Sequence, residues 1–388
     1  MPGVRVLLDV SAVPARPVGA GVYTVALASG LAVHADVELH LLTRRNDADR
    51  WAGIAPKAEI HAAAPARRPA RLAWEQARGP SLATQVQPDI WHGPHYTMPL
   101  GFGPLGLGPL HSPVPCVVTI HDLTFFDHPE WHERTKVMFF RRMIRGAARR
   151  ANGLVCVSEY TADRLRALVH PRAEVTVAYH GVDHDRFVAT ADEAADLDAL
   201  SAHGIEPPYI AFASTIEPRK NVPTLVRAFA RVAATRPELR LVLAGSDGWG
   251  AREAREAVAS SGVATQVMRP GYLATETLAA FFRRAAVVAY PSFEEGFGLP
   301  ALEGLACGAP VVTTAGSALG EVVGDAALLV SPNDPAALAD AITTVLDNPS
   351  VAARLRAAGP VRAAQFTWER CVDQHVDAYR RAMAGARA

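Results

Sequence analysis

The chain has 388 residues, 49% of them hydrophobic and 20% charged, an ordinary globular composition. That length exceeds what one hydrophobic core usually serves, so two domains are expected. Lysine plus arginine equal aspartate plus glutamate at 39 each, which gives no support for nucleic acid as a partner.

From the amino terminus, residues 4–10 predict a strand and 21–31 a helix. Residues 37–43 predict a strand and 71–86 a helix, and strands follow at 89–92 and 116–121. A long helix over 131–150 precedes a strand at 154–158, a helix at 161–168 and a strand at 175–180. Residues 189–200 are rich in alanine and aspartate and read as part of a linker, 189–204. The alternation then resumes, with strands at 210–214, 239–244, 266–269, 286–290, 310–314 and 327–330. Helices are predicted at 223–234, 252–260, 275–284, 301–307, 335–346, 351–358 and 368–384. Short apolar runs alternating with longer helical patterns indicate parallel sheets covered by helices, here two doubly wound domains over 1–188 and 205–366.

The four cysteines, Cys116, Cys156, Cys307 and Cys371, form no C-x-x-C pair, and three lie in apolar segments. That argues for a reducing compartment and against a disulfide framework or structural zinc. No signal peptide is recognised, and no apolar stretch reaches the ~18 residues of a membrane span. A cytoplasmic protein is expected.

The most informative pair is Glu295 and Glu303, within Pro291-Ser-Phe-Glu-Glu-Gly-Phe-Gly-Leu-Pro-Ala-Leu-Glu-Gly304. The first acid follows a predicted strand, and the second falls in the first turn of the predicted helix opened by Pro300. Ligands of open α/β sheets bind at such strand ends. Gly296 and Gly298 would let backbone N–H groups approach a ligand, and a helix start favours negative charge. Two acids beside an anion-binding turn suit a ligand with both hydroxyls and phosphates, such as a nucleotide sugar. Two acids at this spacing also arise by chance as ordinary loop and helix-start residues.

Ser214-Thr-Ile-Glu-Pro-Arg-Lys-Asn221 places Arg219 and Lys220 between a strand end and a helix start. Two cations there make a diphosphate site and would stabilise the charge that develops as a nucleoside diphosphate departs; a solvated loop pair is the bland alternative. His121 closes the strand in Val118-Thr-Ile-His-Asp-Leu123. A neutral imidazole there could bond a sugar hydroxyl, or Asp122 could receive a proton, although a lone histidine is more often structural. Gly19 and Gly21 in Val18-Gly-Ala-Gly-Val-Tyr-Thr24 open the first helix, where they serve either a ligand or a plain tight turn.

The acidic run resembles the E-x7-E motif of glycosyltransferase family 4, retaining enzymes of the GT-B fold. The phosphate loop matches at Lys220, His121 matches the family histidine beside the sugar, and the Gly-rich first loop is similar too. Pro88–Tyr96, Val157–Thr161, His180–Asp183 and Glu321–Asp325 extend the resemblance over nearly the whole chain, closest to bacterial mannosyltransferase-like members. It implies a GT-B architecture of two Rossmann-like domains facing across a cleft, the first binding the acceptor and the second the nucleotide sugar. Residues 367–388 would be the helix that crosses back to the first domain.

By the same resemblance, Glu295 lies near the donor sugar and Glu303 accepts hydrogen bonds from the ribose. The implied catalytic set is His121, Glu295 and Lys220. The implied donor-binding set is Arg219, Lys220, Glu295, Gly296, Phe297, Gly298, Glu303 and Gly21. The chain departs from the family at Ser214, where an arginine often stands, and Arg219 is the candidate substitute.

The implied activity is retaining transfer of a hexose, mannose as the first guess, from a nucleotide-diphosphate sugar to a glycan, lipid-linked or small-molecule hydroxyl. A nucleotide-sugar epimerase of the same architecture and a non-catalytic nucleotide-sugar binding protein are the alternatives. No cofactor and no metal are expected: the D-x-D strings at Asp47, Asp183 and Asp196 are scattered, and His128 with His132 lacks the glutamate of a zinc motif. The helix carrying Arg141, Arg142, Arg145, Arg149 and Arg150 could rest on the inner membrane face, though a solvated outer face is the simpler reading. Gly101-Phe-Gly-Pro-Leu-Gly106 spells a dinucleotide fingerprint, but no helix follows it. A first-domain loop is expected there, with acceptor preference lodged near residues 100–113.

Overall fold

The computed structural model describes residues 3–100 and 114–387. The glycine-rich run at 101–106 and most of the expected acceptor loop lie outside them. The chain divides into two compact units, one formed by Met1–Gly181 with Trp368–Ala388 and the other by Val182–Thr367.

The first unit is built on strands β1 (Val4–Asp9), β2 (Val37–Arg44), β3 (Glu59–Ala64), β4 (Ile90–Gly93), β5 (Cys116–Ile120), β6 (Gly153–Cys156) and β7 (Glu174–Val177). They form one parallel sheet in the order β3-β2-β1-β4-β5-β6-β7. Helices α1 (Ala20–Val33), α2 (Ala48–Ile54), α3 (Arg68–Val86), α4 (Thr124–Asp127), α5 (Arg134–Arg150) and α6 (Glu159–Val169) connect them. Strands β1, β4, β5 and β6 are buried on both faces, which is why they read as near-continuous apolar runs. β3 escaped that reading. Its sequence, Glu-Ile-His-Ala-Ala-Ala, has one β-branched residue, and only pairing with β2 makes it a strand.

The second unit begins with α7 (Glu193–Ser201), inside the segment expected to be a linker. Asp192 caps this helix through Ala194 N and Ala195 N at 2.9 and 3.4 Å. Buried Asp196 then anchors it by pairing with Arg283 and Arg284. After it come β8 (Tyr209–Ala213), α8 (Val222–Ala233), β9 (Arg240–Ala244), α9 (Ala251–Ser260), β10 (Val267–Gly271), α10 (Thr275–Arg283) and β11 (Val287–Tyr290). Next are α11 (Leu299–Ala306), β12 (Val311–Thr314), α12 (Ala318–Val323), β13 (Ala327–Val330), α13 (Pro335–Asp347) and α14 (Pro349–Ala363). The sheet is parallel in the order β10-β9-β8-β11-β12-β13. Its strand order reverses between β8 and β11, which creates a crevice at their carboxyl ends.

The last helix, α15 (Trp368–Arg387), returns to the first unit. Cys371, Val372, Val376, Tyr379 and Ala382 are buried in the core formed with β1, α1 and β2. A Cβ at Gly30 of α1 would lie 2.5 Å from Val372 Cγ2, so only glycine admits this close helix contact.

A buried hydrogen-bond relay ties α15 to the sheet, and one carbonyl fixes its direction. His375 Nδ1 donates to Cys371 O at 2.7 Å, so Nε2 accepts from Tyr23 Oη at 2.7 Å. Tyr23 Oη in turn accepts from Thr119 Oγ1 at 2.8 Å. Thr119 Oγ1 accepts from His92 Nε2, and His92 Nδ1 accepts from Tyr379 Oη, both at 2.8 Å. Every member is satisfied only while both imidazoles are neutral. Burial pushes His375 down to about 4 and His92 well below the ordinary range.

Candidate active site

The crevice of the second unit is lined from both sides of the switch point. After β8, a tight turn over Pro218–Lys220 presents Arg219 and Lys220. Asn221 holds the end of that turn at φ +58° and donates from Nδ2 to Pro291 O at 3.0 Å and to Pro332 O at 2.6 Å. The turn is thus tied to the loop after β11, whose Phe293 N also donates to Arg219 O at 2.8 Å.

Glu295 meets both cations. Arg219 Nη1 donates to its Oε2 at 2.7 Å, and Lys220 Nζ makes a short contact to its Oε1. Lys220 Nζ also donates to Tyr290 Oη at 2.7 Å, and Tyr290 Oη donates to Glu295 Oε1 at 2.9 Å. Lys220, Glu295 and Tyr290 are buried. Burial opposes ionisation of Glu295, but Arg219 and then Lys220 outweigh it and hold the carboxyl down at about 2. Burial, with Arg219 next, lowers Lys220. Burial raises Tyr290 well above the usual phenol range. Arg219 Nε also pairs with Glu217 Oε2 at 3.3 Å, so two cations meet two carboxylates, and a bound anion would compete with Glu217 and Glu295 for the same donors.

α11 starts one residue after Gly298, whose φ of +100° and contact with Leu319 exclude a Cβ. Phe297 beside it is buried, its ring edge-on to Phe366. Gly296 lies in the same loop, after Glu295. Glu303 is the fifth residue of α11 rather than a first-turn residue, because the helix opens at Leu299. It is half-buried, and its carboxyl has no hydrogen-bond or ion-pair partner among the described residues. Burial alone pushes it up to about 7.

The remaining expected residues belong to the first unit. His121 is buried at the end of β5 and donates from Nε2 to Pro94 O at 2.7 Å, which leaves Nδ1 as an acceptor. Burial lowers it, with Pro94 and Asp122 opposing, so the ring is neutral at pH 7. Tyr23 and Tyr96 pack edge-on against it. Gly21 is buried in α1 and donates its N–H to Val18 O at 2.9 Å, a bond internal to the turn. The leading aspartate of each D-x-D string is engaged by arginine: Asp47 by Arg44 and Arg50, Asp183 by Arg186, and Asp196 by Arg283 and Arg284.

Sequence reasoning missed Tyr290 and Asn221. Tyr290 ends an apolar run and reads as core, yet its hydroxyl joins the cation–carboxylate cluster. The available signal was a phenol at the carboxyl end of the strand that feeds the acidic motif.

Comparison with known proteins fixes the family. Residues 198–362 match the model described as Glycosyl transferases group 1, and residues 17–186 match that of Glycosyltransferase Family 4. The O-antigen chain mannosyltransferase B of Escherichia coli is 30% identical over 75% of this chain and 74% of its own length. The chain belongs to the group 1, family 4 glycosyltransferases. It is a hexosyltransferase, as the sequence led us to expect. Sucrose-phosphate synthase from Thermosynechococcus elongatus superposes with a TM-score of 0.78 at 24% identity, covering 98% of this chain and 99% of that one. Anabaena HepE, solved with UDP-glucose, gives 0.74 at 19% identity over 96% and 98%. The glycosyltransferase therefore has the GT-B fold. Among the described residues no helix is long and apolar enough to cross a membrane.

Proposed function

We propose that the enzyme transfers a hexose, mannose first, from a nucleotide-diphosphate sugar to a hydroxyl of a glycan, lipid-linked or small-molecule acceptor, with retention at the anomeric carbon. The observation that carries this reading is the cluster of half-buried Arg219 with buried Lys220, Glu295 and Tyr290 at the switch point of the second unit. The name of the Escherichia coli relative favours mannose, and the ligand of HepE favours a nucleotide sugar as donor.

In this reading the diphosphate draws Arg219 and Lys220, whose fixed charge stabilises the leaving group as the C1–O bond to phosphate breaks. The acceptor oxygen bonds to C1 on the same face, and its proton passes to the departing phosphate oxygen. No carboxylate stands as an obvious nucleophile, because Glu295 is held between two cations. Glu303, bearing no partner among the described residues, accepts from the ribose hydroxyls. His121 Nδ1 accepts from a sugar hydroxyl, and the first unit binds the acceptor. No metal is given a role in the reaction. The arginine-rich α5, with Met138 exposed, is the surface on which peripheral membrane contact would be sought.

Thermal-shift screening against GDP-mannose, UDP-glucose and other nucleotide sugars tests the donor, since a ligand that binds only the folded chain stabilises it by linkage. NMR of the product tests the stereochemistry. Stabilisation by no nucleotide sugar, or an inverted anomeric centre, would overturn the corresponding part of the proposal.

A further inference from the structure

We propose that the first unit carries a transition-metal site, formed by His40, Glu59 and His61 where edge strand β3 meets β2, that takes Zn2+ or a similar borderline dication. The parallel register places His40 opposite Glu59 and Leu42 opposite His61. Glu59 and His61, two apart on β3, project from one face of the strand beside His40.

The three donors converge at coordination spacing. His40 Nδ1 and His61 Nε2 are 3.0 Å apart. Glu59 Oε2 is 3.6 Å from His40 Nδ1, and Glu59 Oε1 is 3.6 Å from His61 Nε2. Ligand atoms about 2.0–2.1 Å from a tetrahedral zinc ion are separated by roughly 3.3 Å, so a metal fits among them with small side-chain shifts. Two imidazoles and a carboxylate are a donor set that suits zinc and its neighbours rather than Mg2+ or Ca2+.

A further carboxylate orients the site. His40 Nε2 donates to Glu38 Oε1 at 3.1 Å, and Glu38 is itself held by Arg5 at 2.9 Å. In the neutral ring this bond fixes the tautomer, leaving Nδ1 bare and aimed at His61. A carboxylate behind a ligating histidine is the usual support of a metal site. Without metal, His61 Nε2–H donates to His40 Nδ1; with metal, the His61 proton sits on Nδ1 and Nε2 becomes a ligand. The fourth position is left to water, since Glu59 is largely exposed.

Glu59 opens β3, at the opposite end from where open α/β sheets bind substrates. The site therefore clips an edge strand to its neighbour.

The test is titration of the metal-stripped full chain with Zn2+ by calorimetry and with Co2+ by its visible d–d bands. The expected result is one equivalent per chain, tetrahedral cobalt absorption and a raised Tm with Zn2+. His61→Asn should abolish binding, and Glu59→Gln should weaken it at least tenfold. Glu38→Gln should weaken it about 10- to 100-fold. Exposed Glu59 can be changed without disturbing the core, which keeps the test valid should His61→Asn fail to fold. Absence of stoichiometric binding, or binding of equal strength in Glu59→Gln, overturns the proposal.

Discussion

Replacing Glu295 by glutamine keeps the shape of the side chain and removes its charge. A carboxyl held at about 2 instead of the ordinary 4.5 contributes about 3 kcal/mol to folding at neutral pH. Glu295 is only 5% exposed, so solvent screening takes little from that figure. The value agrees with the roughly 3–5 kcal/mol lost when one partner of a buried ion pair is removed. The folded value is the depressed one, so this stability is complete above pH 4.5 and is lost as pH falls towards 2. Urea denaturation at pH 7, followed by circular dichroism, should show the Glu295→Gln chain less stable by about 3 kcal/mol in the transition of the second unit. Lys220→Met should be costly too, because it leaves Glu295 with one cation, Arg219, in place of two. The double variant should cost clearly less than the sum, since each single change strands the other's charge. A deficit under about 1 kcal/mol, or strict additivity in the double variant, would refute the idea that these groups form one buried electrostatic unit.

Other consequences are equally direct. Lys220→Met should lower kcat of sugar transfer by about 100-fold or more while the donor KM changes far less, because the charge acts on the leaving group; steady-state kinetics would show it. Glu303 titrates at about 7, so donor affinity measured by calorimetry should rise with pH through neutrality as its carboxylate forms. Glu303→Gln should flatten that profile and weaken donor binding by about 10- to 100-fold, the worth of a charge-assisted hydrogen bond. His375 is lowered to about 4 and must be neutral in the relay, so its contribution is intact above pH 6.5 and declines as pH falls towards 4. Between pH 7 and 5 the first unit should therefore lose about 2 kcal/mol that a His375→Gln chain does not lose, as read from urea midpoints.

Both sheets were legible in the sequence because their central strands are buried on both faces and announce themselves as apolar runs. What escaped were elements whose stability comes from their neighbours. β3 has weak strand propensity and exists by pairing with β2. α7 lies in an Ala- and Asp-rich stretch that looks like linker, and its anchor is a buried ion pair with arginines more than eighty positions away. The cation and acid motifs could be assigned to strand ends from the sequence, since the residues flanking each were recognisable. That Arg219 and Lys220 both bond Glu295, with a phenol as the fourth member, depends on β8 and β11 being neighbours. Strand order is not written in local pattern. The His40–Glu59–His61 grouping was hidden for the same reason: it needs a strand that sequence reading did not find.

The path of the chain has a consequence for its synthesis. A ribosome delivers Met1–Gly181 first, yet the helix that supplies Cys371, Val372, Val376 and Tyr379 to that unit's interior emerges last. The earliest-made half must wait, with part of its apolar interior unsealed, while the contiguous stretch Val182–Thr367 can fold on emergence. A nascent chain exposed from the ribosome as far as Thr367 and no further would thus hold a finished carboxyl-side unit behind an unfinished amino-side one, with apolar surface still open to chaperones.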